Sequence, residues 1–184
     1  MIFYSGFSLK EDEAFFSDYL IDKEYVVAGF SYGAIQAFEF ALKSDTRIDK
    51  LQLFSPAFFQ TKNERYFKMQ LGAYSADQDA YLRLFIDNCF SPALNDGSAV
   101  IKAGRYESLK ALLYYVWDEK KIKSLLDKGI EIEVYLGGKD KIIDSEKAFD
   151  FFTPFARTHL IKDAGHFLKP SIKNDMGAKH PNLH

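Results

Sequence analysis

A single cysteine, Cys89, stands among 184 residues, so no disulfide can close within the chain. This excludes a disulfide-stapled scaffold and favours a reducing compartment. Neither sign of charge dominates: the formal net charge is −2 and the pI is near 6.1, so no overall positive field draws the chain to nucleic acid. Long apolar runs are missing too. Stretches such as Ala111-Leu112-Leu113-Tyr114-Tyr115-Val116-Trp117 fall well short of the ~20 residues that cross a bilayer. Residues 1–10 carry no basic stretch and no cleavage-site pattern of a secretory leader, so the expected location is cytoplasmic. C-x-x-C, H-E-x-x-H and phosphate-cradling G-x-x-x-x-G-K motifs are absent, as are Asp-rich metal sites; no metal and no cofactor is expected. There are no internal repeats and no low-complexity tracts.

What is present fits one globular domain. Apolar residues make up 47% and charged residues 27%, and a chain of this size buries roughly 70% of its unfolded surface. Aromatic residues reach 16%, which reads either as an aromatic-lined pocket or as a coding bias toward Phe and Tyr.

The order of apolar runs sets the expected architecture. Ile2-Phe3-Tyr4, Tyr25-Val26-Val27-Ala28, Lys50-Leu51-Gln52-Leu53-Phe54, Glu131 to Leu136 and Thr158 to Ile161 read as five strands, each punctuated by Gly or Pro or running into a Gly-containing loop. Between them, Leu9 to Leu20, Tyr32 to Lys43 and Ser145 to Phe152 read as helices. In the first, Ala14, Phe15, Leu20 and Ile21 share a face, and Glu11, Asp12 and Glu13 sit where the helix dipole favours acids. From Pro56 to Lys128 no strand is expected. Leu82, Phe85, Ile86 and Cys89, and again Leu109, Leu112, Leu113 and Val116, repeat at helical spacing and predict three or four helices. Strands alternating with helices predict a short, mainly parallel sheet. The expected division is a core of residues 1–55 and 129–169, a helical cap over 56–128, and a polar tail over 170–184.

Gly29-Phe30-Ser31-Tyr32-Gly33 lies between an expected strand and an expected helix. A G-x-S-x-G in that setting is the nucleophile elbow, whose tight turn lifts the serine hydroxyl above the sheet edge. Serine is a poor nucleophile without a base. Of four histidines, His180 and His184 fall in the tail and His159 falls inside a strand pattern, leaving His166, on a Gly-containing loop after the last strand. The orienting carboxylate belongs after the fourth strand, where Asp140 follows Gly137-Gly138-Lys139. Asp144 is its rival, in a position that helix capping explains, and Asp163 reads as a loop charge. The oxyanion donors expected are the backbone N–H of Tyr32 and, after the first strand, that of Phe7, with Gly6 as hinge. Cys89, on an amphipathic face, reads as a core thiol.

Phe3-Tyr4-Ser5-Gly6-Phe7, Gly29 to Ile35, Leu53-Phe54-Ser55-Pro56, Lys139-Asp140 and His166 together resemble the BioV family of pimeloyl-acyl-carrier-protein methyl ester esterases over about residues 1–169. The resemblance implies a small α/β-hydrolase fold of biotin synthesis, with Ser31, Asp140 and His166 at the triad positions. It also implies hydrolysis of the methyl ester of pimeloyl-acyl-carrier protein, releasing methanol. Phe58, Phe59, Phe67, Tyr81, Phe85, Tyr114, Tyr115 and Trp117 are available to line an acyl pocket, with two or three expected there and the rest in the core. Lys62, Arg65 and Lys68, at three-residue spacing, are candidates to dock an acidic carrier protein. The competing readings are a general carboxylesterase or thioesterase with the same triad, and a non-catalytic binding protein of the same fold.

Overall fold

A computed structural model describes residues 1–170; the expectations for His180, His184 and the tail from residue 171 onward lie outside the described residues. The chain runs β1 (Ile2–Tyr4), β2 (Leu9–Lys10), a 3-10 turn (Asp12–Phe16), β3 (Val26–Phe30), α1 (Tyr32–Lys43) and β4 (Lys50–Phe54). It continues through α2 (Glu64–Ala76), α3 (Gln78–Phe90), β5 (Val100–Ile101), α4 (Tyr106–Leu113), α5 (Glu119–Asp127), β6 (Glu131–Gly137), α6 (Ser145–Phe152) and β7 (Arg157–Ile161). The main sheet is five-stranded, in the order β1-β3-β4-β6-β7, and every pairing in it is parallel. All five residues of β3 are buried, as expected where both faces of a parallel sheet are covered. On one face α1 packs Ala34, Ala37, Phe38 and Ala41 into the core; on the other Phe16, Phe30, Phe54, Phe90 and Phe167 form a second cluster.

The five strands fall where the apolar runs placed them, each within two residues. The segment Leu9 to Leu20 does not form the expected helix. Leu9 is wholly buried in β2, which pairs antiparallel with β5, and only a 3-10 turn follows. Phe16 rather than Ala14 faces the core, and Asp12 is drawn inside instead of sitting on a solvated first turn. β5 also corrects the expectation of no strand between Pro56 and Lys128. A two-residue strand leaves almost no periodicity to read, and its partner lies some ninety residues away. Val116 is exposed beyond the end of α4; Trp117 turns inward instead, its indole N–H donating to the Ala57 carbonyl at 2.9 Å.

Within residues 56–128, α2 packs against both α3 and α4, whereas α5 lies against α1. Lys121 joins α5 to Glu39 of α1 at 2.9 Å. Caps set the starts of several helices: Asn63, Asp77, Asp118 and Asp144 each accept a backbone N–H of the following first turn. Among the described residues no helix is long and apolar enough to cross a membrane.

Candidate active site

β3 ends on a turn that only its glycines permit. A Cβ on Gly29 would collide with the Gly33 carbonyl, and one on Gly33 would collide with the Tyr4 carbonyl at the end of β1. The backbone is therefore packed against itself on both sides of Ser31. Ser31 takes φ 53° and ψ −111°, a conformation that costs a side-chain-bearing residue about 1–3 kcal/mol. Surrounding bonds hold it there: Ser31 N–H donates to the Phe54 carbonyl at 2.9 Å, and its own carbonyl accepts from Ala34 and Ala57, both at 3.1 Å.

The loop after β6 supplies the carboxylate. Asp140 N–H donates to the Gly137 carbonyl at 3.2 Å, and Asp140 Oδ1 accepts from the backbone N–H groups of Ile142 (2.7 Å) and Ile143 (3.1 Å). These bonds leave Oδ2 facing His166 Nδ1 at 2.6 Å. His166 sits on the loop after β7, its carbonyl accepting from Ser55 Oγ at 2.8 Å and its ring 4.9 Å from that of Phe30. Nε2 lies 3.1 Å from Ser31 Oγ. A carboxylate only accepts, so Nδ1 carries the proton and Nε2 presents its lone pair to the serine hydroxyl. The side chains of Asp140 and His166 are fully shielded from solvent.

Phe7 is buried, and neither its backbone N–H nor that of Tyr32 meets a hydrogen-bond acceptor among the described residues. Buried backbone donors are seldom left unpaired. Tyr32 is the first residue of α1, where an N–H has no acceptor within the helix.

Ser31 opens onto a cavity of about 160 Å³. Its walls are Phe7, Phe59, Tyr66, Tyr81, Phe85, Leu109, Leu112, Leu113 and Ile142, and Gln70, Asn88 and Lys141 add polar groups. Three of the eight aromatic candidates, Phe59, Tyr81 and Phe85, line it. Phe58, Phe67 and Trp117 belong to the core, and the Tyr114 and Tyr115 hydroxyls turn away to Glu64 and Glu39, each at 2.8 Å. Tyr81 donates to Gln70 Oε1 at 2.9 Å, and burial pushes its phenol well above the usual range. Gln70, Asn88 and Lys141 were missing from the sequence-based set. Asn88 lies three residues after Phe85 and seven after Tyr81 on α3, the helical spacing that puts all three on one face.

Asp144 caps α6 by accepting Lys147 N–H at 3.2 Å, and Asp163 pairs with Lys139 at 3.0 Å. His159 stacks on Tyr135, ring centroids 4.7 Å apart. Cys89 is buried, and desolvation pushes its thiol well above the usual range, so it is not a poised nucleophile. Lys62, Arg65 and Lys68 are exposed, and none lines the cavity; Lys62 lies 5.6 Å over the ring of Tyr66, which does, and Lys68 is 3.9 Å from Glu64.

No protein-family model and no curated protein matches the chain. Solved structures do match in fold. Naproxen esterase (carboxylesterase NP) from Bacillus subtilis aligns at 19% identity with a TM-score of 0.53, over 78% of this chain and 53% of that one. Carboxylesterase CesB from Bacillus subtilis aligns at 16% and 0.53, over 88% and 62%. BioG from Haemophilus influenzae aligns at 11% and 0.57, over 90% and 87%. The chain thus spans little more than half the length of naproxen esterase. With its parallel sheet, the turn after β3 and these neighbours, the chain has the α/β-hydrolase fold.

Proposed function

We propose that this chain is a serine ester hydrolase whose substrate is the methyl ester of pimeloyl-acyl-carrier protein. The observation that carries the catalytic part is the line Ser31–His166–Asp140, at 3.1 and 2.6 Å, ending on a hydroxyl in the wall of an apolar cavity. His166 Nε2 takes the Ser31 proton as Oγ adds to the ester carbonyl, and the resulting oxyanion receives the N–H groups of Phe7 and Tyr32. The imidazolium, held by Asp140, passes its proton to the departing methoxide, giving methanol and an acyl-serine. Water, deprotonated by the same histidine, then releases the free acid and restores Ser31. Two neighbours in fold are named as esterases, which agrees with acyl transfer.

One observation and one physical argument support the substrate. The cavity, about 160 Å³ and walled largely by apolar side chains, is close to the ~150 Å³ that takes up a benzene ring, so it has room for the apolar end of an acyl chain. The carrier protein is too large to enter, so the free ester end goes in first and the thioester stays outside. Lys62, Arg65 and Lys68 are the proposed rim that steers an acidic carrier, an effect chiefly on association rate. Such a carrier-bound intermediate places the reaction in the cytoplasm. The general carboxylesterase reading is favoured by the names of neighbours in fold such as naproxen esterase and carboxylesterase CesB.

A fluorophosphonate probe tests the catalytic part: it labels Ser31 in the intact protein and not in Ser31→Ala or His166→Ala. An unlabelled wild-type protein would leave only a binding scaffold. Arg65→Glu and Lys68→Glu test the carrier. Each lowers turnover of the carrier-bound ester while p-nitrophenyl ester hydrolysis stays nearly unchanged; equal losses on both substrates would return the reading to a general esterase.

A further inference from the structure

Asp12 is a carboxylate where none is needed for packing. It is 1% exposed, in the 3-10 turn that follows β2, and it reaches back six residues to accept the Gly6 N–H at 2.9 Å. Two left-handed residues aim it there: Ser8 and Glu11 both have φ 58°. Its second oxygen, Oδ1, finds no partner. Burial pushes the Asp12 carboxyl up, and hydrogen bonds from Ser5 and Gly6 offset only part of that. A group this costly to bury calls for a reason beyond filling space.

The loop it touches supplies that reason. Gly6 carries no side chain to restrict it, and none would fit, because a Cβ there would press on the Phe30 ring. Its conformation is set by hydrogen bonds on either side: Gly6 N–H to Asp12, and the Gly6 carbonyl from Leu9 N–H at 3.2 Å. Across a planar trans peptide the C=O and the next N–H point in opposite directions. Fixing the Gly6 carbonyl toward Leu9 therefore fixes the Phe7 N–H in the opposite sense. Phe7 also walls the Ser31 cavity.

We propose that Asp12 is a positioning residue that locks the Ser5-Gly6-Phe7 loop through the Gly6 N–H, so that the Phe7 N–H is preset to receive the oxyanion; this rests on the esterase reading above. Asp12 touches no substrate. It acts by removing the loop's freedom before the reaction begins, so its loss is felt in the transition state rather than in substrate binding.

The test compares Asp12→Leu with Asp12→Asn. Leucine fills a similar volume and removes a costly buried charge, which offsets the Gly6 N–H left without an acceptor, so the variant is expected to fold, and circular dichroism checks that it does. Asparagine keeps an oxygen that can accept from Gly6. The expected result is a loss of about 10–100-fold in kcat for Asp12→Leu, with KM within about twofold, since displacement of one donor is read in the barrier. Asp12→Asn is expected to retain kcat within about threefold of wild type. A wild-type kcat in Asp12→Leu, a rise in KM alone, or an equal loss in the folded Asn variant would overturn the proposal. Amide hydrogen exchange separates this from a failure of the esterase reading. If wild-type Ser31 neither turns over ester nor takes a fluorophosphonate, that reading falls. Gly6 N–H protection lost in Asp12→Leu and kept in Asp12→Asn then still supports the lock, and equal protection in both refutes it.

Discussion

β6 and the loop that follows it carry two buried carboxylates seven residues apart, and they live in different surroundings. Glu133, in mid-strand, is ringed by side chains: Lys50 Nζ at 2.6 Å, Tyr135 OH at 3.0 Å and Gln52 Nε2 at 3.1 Å. Gln52 in turn closes on backbone, donating to the Tyr19 carbonyl at 3.0 Å and accepting from Ile21 N–H at 2.8 Å. Nothing in that network faces the cavity wall. Asp140, past the strand's end, is satisfied by two backbone N–H groups and one imidazole, and its line runs on to a hydroxyl that opens on the cavity. Burial and full hydrogen bonding are thus common to both. What separates the two networks is where the chain of bonds ends, on the main chain or on a hydroxyl with open space beside it.

The sharpest break in this comparison is a pair of isosteric changes. Asp140→Asn still accepts from Ile142 and Ile143, but it offers an amide N–H to His166 Nδ1. The ring is then held in the other tautomer, with its proton toward Ser31, and kcat on a p-nitrophenyl ester is expected to fall by about 10⁴-fold. Glu133→Gln on the same assay leaves kcat within about twofold. A large kcat loss in Glu133→Gln would mean that the two networks are coupled.

Stability reverses the ranking. Glu133→Ala leaves the Tyr135 hydroxyl without its acceptor and takes one acceptor from Lys50 and from Gln52, which keep Glu131 and the Tyr19 carbonyl. Leaving such groups unpaired costs about 2–3 kcal/mol, or roughly 4–12 °C in Tm for a domain of this size. Asp140→Asn keeps its two backbone bonds and is expected to change Tm by less than half as much. Thermal unfolding followed by circular dichroism measures both; a larger drop for Asp140→Asn would place the structural burden at the loop instead.

The same contrast explains what could be read from the sequence. The five strands were legible because Tyr25 to Ala28 and its counterparts are short apolar runs stopped by Gly or Pro or running into a Gly-containing loop, and a parallel sheet needs little more. Ser31, Asp140 and His166 were legible as a set because each follows a strand whose end the fold brings to one edge. Asp12 was misplaced because its neighbours Glu11 and Glu13 made the local pattern look like an acidic first turn. Its role is decided by Gly6 and by β2 pairing with residues 100–101, which no local pattern carries. Gln70 and Lys141 in the cavity wall were out of reach for a similar reason: α2 and the loop after β6 meet α3 only in three dimensions.

The smallest expected effect sets Glu133 against Asp12 in their response to pH. At Glu133 burial pushes the carboxyl up, but the hydrogen bonds and charge of Lys50, with Tyr135 and Gln52, outweigh it and hold it below the usual range. The stability it contributes is therefore present above the ordinary carboxylate value and is lost as pH falls through the depressed one. At Asp12 burial dominates and the carboxyl is raised, so its contribution is present below the ordinary value and lost as pH rises through the raised one. Glu133→Gln should thus melt below wild type at neutral pH, and the gap should narrow on acidification. Asp12→Asn should melt above wild type at neutral pH, and that gain should also shrink on acidification. Melts of the three proteins across the mildly acidic range decide it: two curves that approach wild type from opposite sides support the assignment, and two on the same side would show that Asp12 is held by attraction that the contacts around it do not provide.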